Sequence, residues 1–319
     1  MYTPQPYSEA YLPEQDGHRV YYAQFGNPEG PTIVNCHGGP GSRSKAKHAA
    51  TFDLTRYRVI NVDQRGCGKS EPMGEVEHNT TAHLLADIER IRTELGIEDW
   101  LVSGSSWGST LALAYAIAYP ERVRGLLLSA IFLGDTRGDD WAFGKVDGAA
   151  QLFPDAWQQL TEGLAELGVT HSDNVPQALL TLLIEGDIEM QRRAAAVVAS
   201  WEVNLLSRNI AMQYTRPEEV GEESVQAARI FLHYQANGYW LVPDQIREAI
   251  DTIAQIPACI VHGRYDVLCP LQAAWDIHRA LPQSTLVVLP ESHHVIAGDG
   301  AVARYYAFAD FLATHSTTV

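Results

Sequence analysis

The chain has 319 residues, 46% of them hydrophobic and 19% charged, enough to bury about three quarters of its extended-chain surface, which excludes a disordered or fibrous protein. Asp and Glu number 39 against 23 Lys and Arg, a formal charge of -16 that repels a phosphate backbone and argues against a nucleic-acid partner. By length, the chain accommodates two domains or one large α/β domain carrying an insertion.

Residues 1–17 contain neither a basic region nor an apolar stretch, and the apolar runs further on, such as 126–134, are far shorter than a bilayer requires. A soluble, unexported, cytoplasmic protein with no membrane partner is therefore expected. Cys36, Cys67, Cys259 and Cys269 form no C-x-x-C pair, so neither a zinc nor a redox site is indicated and a reducing compartment fits. Asn79-Thr80-Thr81 spells a glycosylation acceptor, which has meaning only in a secreted chain.

In chain order, short apolar runs recur at 32–36, 58–62, 100–103, 125–129, 258–262 and 285–289. They are nearly continuous in hydrophobicity, as strands of a parallel sheet buried on both faces must be. Helical patterns lie between them. Residues 80–95 put Leu84, Leu85, Ile88, Ile91 and Leu95 on one stripe, leaving Asp87, Glu89, Arg90 and Arg92 to face out, with Gly96 as the stop. Residues 110–119 form a second helix ending before Pro120. The strand–helix–strand rhythm is that of an α/β protein with a mostly parallel sheet and helices on both faces. It breaks between Asp135 and Trp240, where the pattern turns helical, and resumes at Pro257. Residues 1–134 and 241–319 are thus expected to form one catalytic domain, and 135–240 an inserted helical cap.

Gly104-Ser105-Ser106-Trp107-Gly108 matches G-x-S-x-G and lies between a strand and a helix, the context in which a serine is exposed as a nucleophile. That makes Ser106 the candidate. His37-Gly38-Gly39-Pro40-Gly41 follows the 32–36 strand, so the backbone N–H groups of Gly39 and Trp107 are the candidate oxyanion donors; losing one such donor typically costs about 2.7 to 4 kcal/mol. The acid and base should follow in the order Ser, Asp, His. Asp266 comes just after the 258–262 strand, and His293 and His294 follow the 285–289 strand; either histidine can serve. His262, inside an apolar run, and His278, within the helical stretch 271–281, read as structural. Gly66-Cys67-Gly68-Lys69-Ser70 ends like a phosphate-binding loop, but Asp63 stands where the leading glycine is required, so a nucleotide site fails. Asp63 instead suits fixing the turn 63–66.

Together, His37-Gly38-Gly39-Pro40-Gly41, Asp63-Gln64-Arg65-Gly66-Cys67-Gly68, Asn79-Thr80-Thr81, Asp87-Ile88-Glu89 and Gly104-Ser105-Ser106-Trp107-Gly108-Ser109 resemble, in order, the landmarks of the proline iminopeptidases of the α/β-hydrolase superfamily. The resemblance is dense over 5–135, returns from 257 onward, and is patchy in the insertion. It implies the α/β-hydrolase fold, a helical cap, and a serine hydrolase that releases an N-terminal residue, preferably proline, from a small peptide or amide with no metal or organic cofactor. It implies Ser106, Asp266 and His294 as the triad, His293 replacing the usual glycine. Family members hold the substrate's imino group with carboxylates and its ring with aromatic side chains. Ser200-Trp201-Glu202 resembles the cap segment with one anchoring glutamate. The second is expected at 231, where this chain has Phe231. Losing one charge-assisted hydrogen bond costs about 1.5 to 3 kcal/mol, so an amidase or esterase acting on another small substrate is the alternative. Trp141, Phe143 and Phe231 are the candidate aromatic wall. A binding protein that kept the fold and lost catalysis is disfavoured by the intact constellation.

Overall fold

The computed structural model describes residues 3–144, 148–170, 174–206 and 212–315. Among these, one sheet is built from β1 (Ser8–Tyr11), β2 (Tyr21–Gly26), β3 (Thr32–Cys36), β4 (Arg58–Val62), β5 (Trp100–Ser106), β6 (Val123–Ile131), β7 (Ala258–Gly263) and β8 (Ser284–Leu289), in the order β1-β2-β4-β3-β5-β6-β7-β8. β2 runs antiparallel to β1 and β4, and every other pairing is parallel. The six apolar runs are all strands of this sheet. β1 (SEAY) and β2 (YYAQFG) carry no β-branched residue, which is why the sequence pattern passes over them.

The continuous hydrophobicity of the central strands has a simple cause: successive side chains enter different layers. Val34, Ile60, Val102 and Leu128 enter one apolar cluster together with α2 (Thr81–Glu94), α3 (Trp107–Ala118), α9 (Gln245–Ala249) and α10 (Leu271–Ala280). Ile33, Val59, Leu101 and Leu127 enter a second cluster with α1 (Ala46–Ala49) and α11 (Gly298–His315). Helices therefore cover both faces.

Two side chains expected on the outer face of α2 are buried. Asp87 takes a bidentate contact from Arg65, Nε to Oδ2 at 2.7 Å and Nη2 to Oδ1 at 3.1 Å. Arg92 is folded back onto the carbonyls of Ile97 and Glu98. Hydrophobic periodicity ranks both as solvent-facing because it has no account of a charge paired inside the protein. Asn79 is fully buried, donating to the carbonyls of Arg65 and Glu75 and accepting from Tyr234 Oη. In the folded chain this asparagine is a structural bracket, closed to modification. Asp63 binds the N–H and hydroxyl of Ser44 and the N–H of Lys69, so it ties two loops together across the turn it was expected to close.

Between β6 and β7 lie α4 (Thr136–Phe143), α5 (Pro154–Glu166), α6 (Val175–Glu185), α7 (Ile188–Leu206) and α8 (Glu222–Ala236). They enclose a third cluster around Leu160, Leu183, Val198, Trp201 and Leu232. Trp201, fully buried, donates from Nε1 to the Ala142 carbonyl. Among the contacts that hold this layer against the sheet's carboxyl edge, His233 Nε2 donates to the Asn79 carbonyl at 2.9 Å, the Val295 N–H donates to the Leu206 carbonyl, and Ala227 abuts Gly41 so closely that a Cβ there would strike its carbonyl.

Candidate active site

Ser106 sits where β5 turns into α3 with φ 57° and ψ -130°, a left-handed backbone that costs a non-glycine residue of order 1 to 3 kcal/mol. The β5–β6 register shifts at this point. Only glycine fits on either side. A Cβ on Gly104 would strike the Gly108 carbonyl, and one on Gly108 would strike the Cys36 carbonyl. The strained turn lifts the hydroxyl above the sheet's edge.

There His294 Nε2 is 3.1 Å from Ser106 Oγ. Its Nδ1 faces Asp266, 2.9 Å from Oδ2 and 3.1 Å from Oδ1. Asp266 is fixed in turn by the N–H groups of Leu268 and Cys269. Because Nδ1 donates to the carboxylate, the neutral ring presents a lone pair at Nε2 to the serine hydroxyl. Burial is the largest single influence on His294 and works against charging it, but the Asp266 carboxylate and the Cys269 side chain together outweigh it and hold the imidazole above its ordinary value. His293 turns away: its Nδ1 pairs with the Tyr265 carbonyl and its ring lies against Tyr265. His262 accepts from the Ile131 N–H and binds the Cys269 carbonyl, and burial lowers its pKa; it braces β7 against the Asp266 loop.

The His37 loop rests on Ser106, with Gly38 so near that a Cβ there would come 3.2 Å from that of Ser106. Gly39 has φ +119°, which favours glycine. Gln64, which the sequence reading left without a role, joins the two loops. Its N–H donates to His37 Nε2, its Nε2 donates to the His37 carbonyl, and its Oε1 accepts from Trp107 Nε1 at 2.9 Å. Gly39 and Trp107 are thereby held in fixed relation. The sequence carried two hints of it, its place just after a parallel strand and its place in the Asp63–Gly68 landmark.

A cavity of about 650 Å³ opens over Ser106 and His294. One face of α7 lines it through Ala195, Val198, Ala199, Glu202 and Leu206, and one face of α8 through Ser224, Ala227, Ala228 and Phe231, both at helical spacing. An adjoining recess brings Ser106 and Gly39 together with Glu202, Asp139, Phe132, Phe143, Phe231 and Tyr239. Glu202 makes no hydrogen bond or ion pair among the described residues, and burial, only partly offset by His294, pushes its pKa up to about 7. Asp139 accepts from Tyr239 Oη at 2.8 Å; burial, against that bond and one from Gln235, raises it to about 6. Asp139 was not singled out in the sequence because an acidic residue in an amphipathic helix reads as a solvated one. Trp141 lines neither space: its indole N–H donates to the Val267 carbonyl at 2.7 Å, so it fastens α4 to the Asp266 loop, and Phe143 and Phe231, 6.2 Å apart, form the wall without it.

Residues 31–301 match the family model of the α/β hydrolase fold. A proline iminopeptidase of Neisseria meningitidis is 39% identical over 312 residues, 97% of each chain. A probable proline iminopeptidase of Leptolyngbya boryana is 39% identical over 98% of this chain and 96% of its own, and one of Arabidopsis thaliana 38% identical over 92% and 77%. Among solved structures, an esterase from Exiguobacterium antarcticum superposes with a TM-score of 0.62 at 19% identity over 96% of this chain and 99% of its own, a likeness of fold. The chain belongs to the proline iminopeptidase family of the α/β-hydrolases, and it is a hydrolase.

Proposed function

We propose that this hydrolase is a serine peptidase that releases an N-terminal residue, preferably proline, from small peptides through an acyl-enzyme on Ser106. The observation that carries the reading is the hydrogen-bonded chain Ser106–His294–Asp266 opening onto a recess with two raised carboxylates. His294 takes the Ser106 proton as Oγ attacks the substrate carbonyl, and Asp266 stabilises the imidazolium. The N–H groups of Gly39 and Trp107 receive the oxyanion. His294 then protonates the leaving amine, and water, activated by the same ring, releases the acid.

Glu202 and Asp139 are the anchors of the substrate's cationic imino group. An ionised carboxylate buried without a partner is costly, and an incoming ammonium group relieves that cost. The proline iminopeptidase names of the relatives support the same substrate class. Where the family resemblance expects a glutamate at 231, Asp139 reaches the recess from α4, and Phe231 joins Phe132, Phe143 and Tyr239 around the ring. Residues 1–134 and 241–319 act as the catalytic domain and 135–240 as the cap. Four buried free thiols support a cytoplasmic setting, and among the described residues no helix is long and apolar enough to cross a membrane.

The test is hydrolysis of prolyl, alanyl and leucyl chromogenic anilides beside an N-blocked prolyl anilide and a simple ester, with Ser106→Ala as control. Preference for the free prolyl substrate, abolished in the control, is expected. Turnover of the ester or blocked substrate without prolyl activity would retain the triad and discard the peptidase assignment.

A further inference from the structure

The cavity over Ser106 also carries basic residues on its wall. Along α1 and α11 it is lined by Lys47, His48, Thr51, Phe52, Arg304 and Phe308. Arg304 makes no hydrogen bond or ion pair among the described residues, and its Nε is buried with no acceptor in reach. Burial alone acts on it, lowering its pKa. The surroundings offer no compensation: His48 is pushed down to about 4 by burial and by His37, Lys45, Lys47 and Arg304, every one of them basic. Such a gathering is unexpected in a chain of formal charge -16, where carboxylates are plentiful. Arg304 is half-buried with its Nε shut off from any acceptor, an arrangement that costs desolvation without return, and its planar fork matches a carboxylate in two parallel hydrogen bonds.

We propose that Arg304, assisted by Lys47, is a carboxylate subsite that receives the free C-terminus of the peptide whose N-terminal residue lies at Ser106. The inference rests on the peptidase reading for its substrate. It adds that the cavity is bipolar, with Glu202 and Asp139 for the ammonium end and Arg304 for the carboxylate end, so the enzyme selects short zwitterionic peptides over amidated ones. Phe52 and Phe308, beside Arg304 on the cavity wall, exclude water from the ion pair and strengthen it.

The experiment compares prolyl-alanine and prolyl-alanyl-alanine with their C-terminal amides, following release of free proline, in the wild type, Arg304→Met and Arg304→Lys. The wild type should favour at least one free acid over its amide by about tenfold or more in kcat/KM. Arg304→Met should erase that preference through KM while leaving the amides and prolyl anilide unchanged, and Arg304→Lys should retain part of it. Equal treatment of acids and amides by the wild type, or an equal loss on both in Arg304→Met, overturns the subsite. Calorimetric binding of the same peptides to Ser106→Ala separates the two readings. An acid preference that depends on Arg304 there, without prolyl anilide turnover by the wild type, retains the subsite and removes the peptidase reading; turnover with no acid preference does the reverse.

Discussion

Around Ser106, most polar groups of the sheet half close on one another, Arg304 being the exception, whereas Glu202 and Asp139, on the helices between β6 and β7, keep bonding capacity open. Arg65 and Asp87 satisfy each other in a bidentate pair, Gln64 spends its side chain on His37 and Trp107, and Asp266 receives His294 and two backbone N–H groups. Across the cavity, Glu202 has no hydrogen-bond or ion-pair partner among the described residues, and Asp139 holds one strong bond, from Tyr239. The first arrangement holds atoms still, as chemistry on a fixed nucleophile demands. The second keeps hydrogen-bonding capacity in reserve for a ligand. Changes at Ser106, His294, Asp266 and the residues that brace them should therefore affect all substrates alike, and changes at Glu202, Asp139 and Arg304, whose bonding capacity is open, should distinguish among them.

The largest effect is expected at the triad. Ser106→Ala should remove essentially all turnover of prolyl anilide and simple ester together, and Asp266→Asn should lower kcat about 10⁴-fold for both; a loss confined to one substrate would contradict the division of labour. Next, Asp87→Ala leaves the buried Arg65 guanidinium with only the His78 carbonyl and Asp16, 3.8 Å away, and should destabilise the fold by about 3 to 5 kcal/mol, read as a fall in the midpoint of denaturant unfolding. A midpoint within experimental error of the wild type would show that water replaces the carboxylate.

Glu202→Gln should lower kcat/KM for prolyl anilide by about 10 to 150-fold and spare ester turnover. Its pH behaviour carries a sign. A carboxyl raised from 4.5 to about 7 costs nothing below pH 4.5, and its ionisation costs progressively more stability up to about pH 7. At about 1.4 kcal/mol per pKa unit the difference reaches roughly 3 to 4 kcal/mol, so Glu202→Gln should melt higher than the wild type at pH 8 and alike at pH 4. An unchanged melting temperature at pH 8 would show that Glu202 is solvated. Asp139→Asn, which keeps an acceptor for Tyr239, should cost about tenfold on prolyl anilide, and adding Phe231→Glu should recover most of it; no recovery would mean that position 231 does not address the same group. The smallest effect is His293→Ala, expected within twofold of the wild type, since that ring faces Tyr265.

What was legible in the chain was contiguous. Six strands, the breaks of the insertion, the Gly104–Gly108 turn and the Gly-rich loop after β3 each depend on residues next to one another in sequence, and steric limits on such short segments leave few conformations. Glu202 emerged the same way, through a local family resemblance in Ser200-Trp201-Glu202.

Pairing across the chain was decided elsewhere. His293 and His294 are equivalent in local pattern, and only the packing of the 290–295 segment against Asp266 turns the second toward Ser106. Asp87 and Arg92 read as surface charges until Arg65 and the loop after α2 are folded against them. Trp141 passed for a pocket residue until α4 met Val267. Asp139 and Glu202 lie on different helices, and Arg304 on another still, so their convergence on one cavity is a product of assembly. Local chemistry was sufficient to single out the Ser106 turn because a strained turn is encoded by its own residues. The electrostatic character of the cavity required the tertiary structure, because burial and charge pairing arise only when distant segments exclude water together.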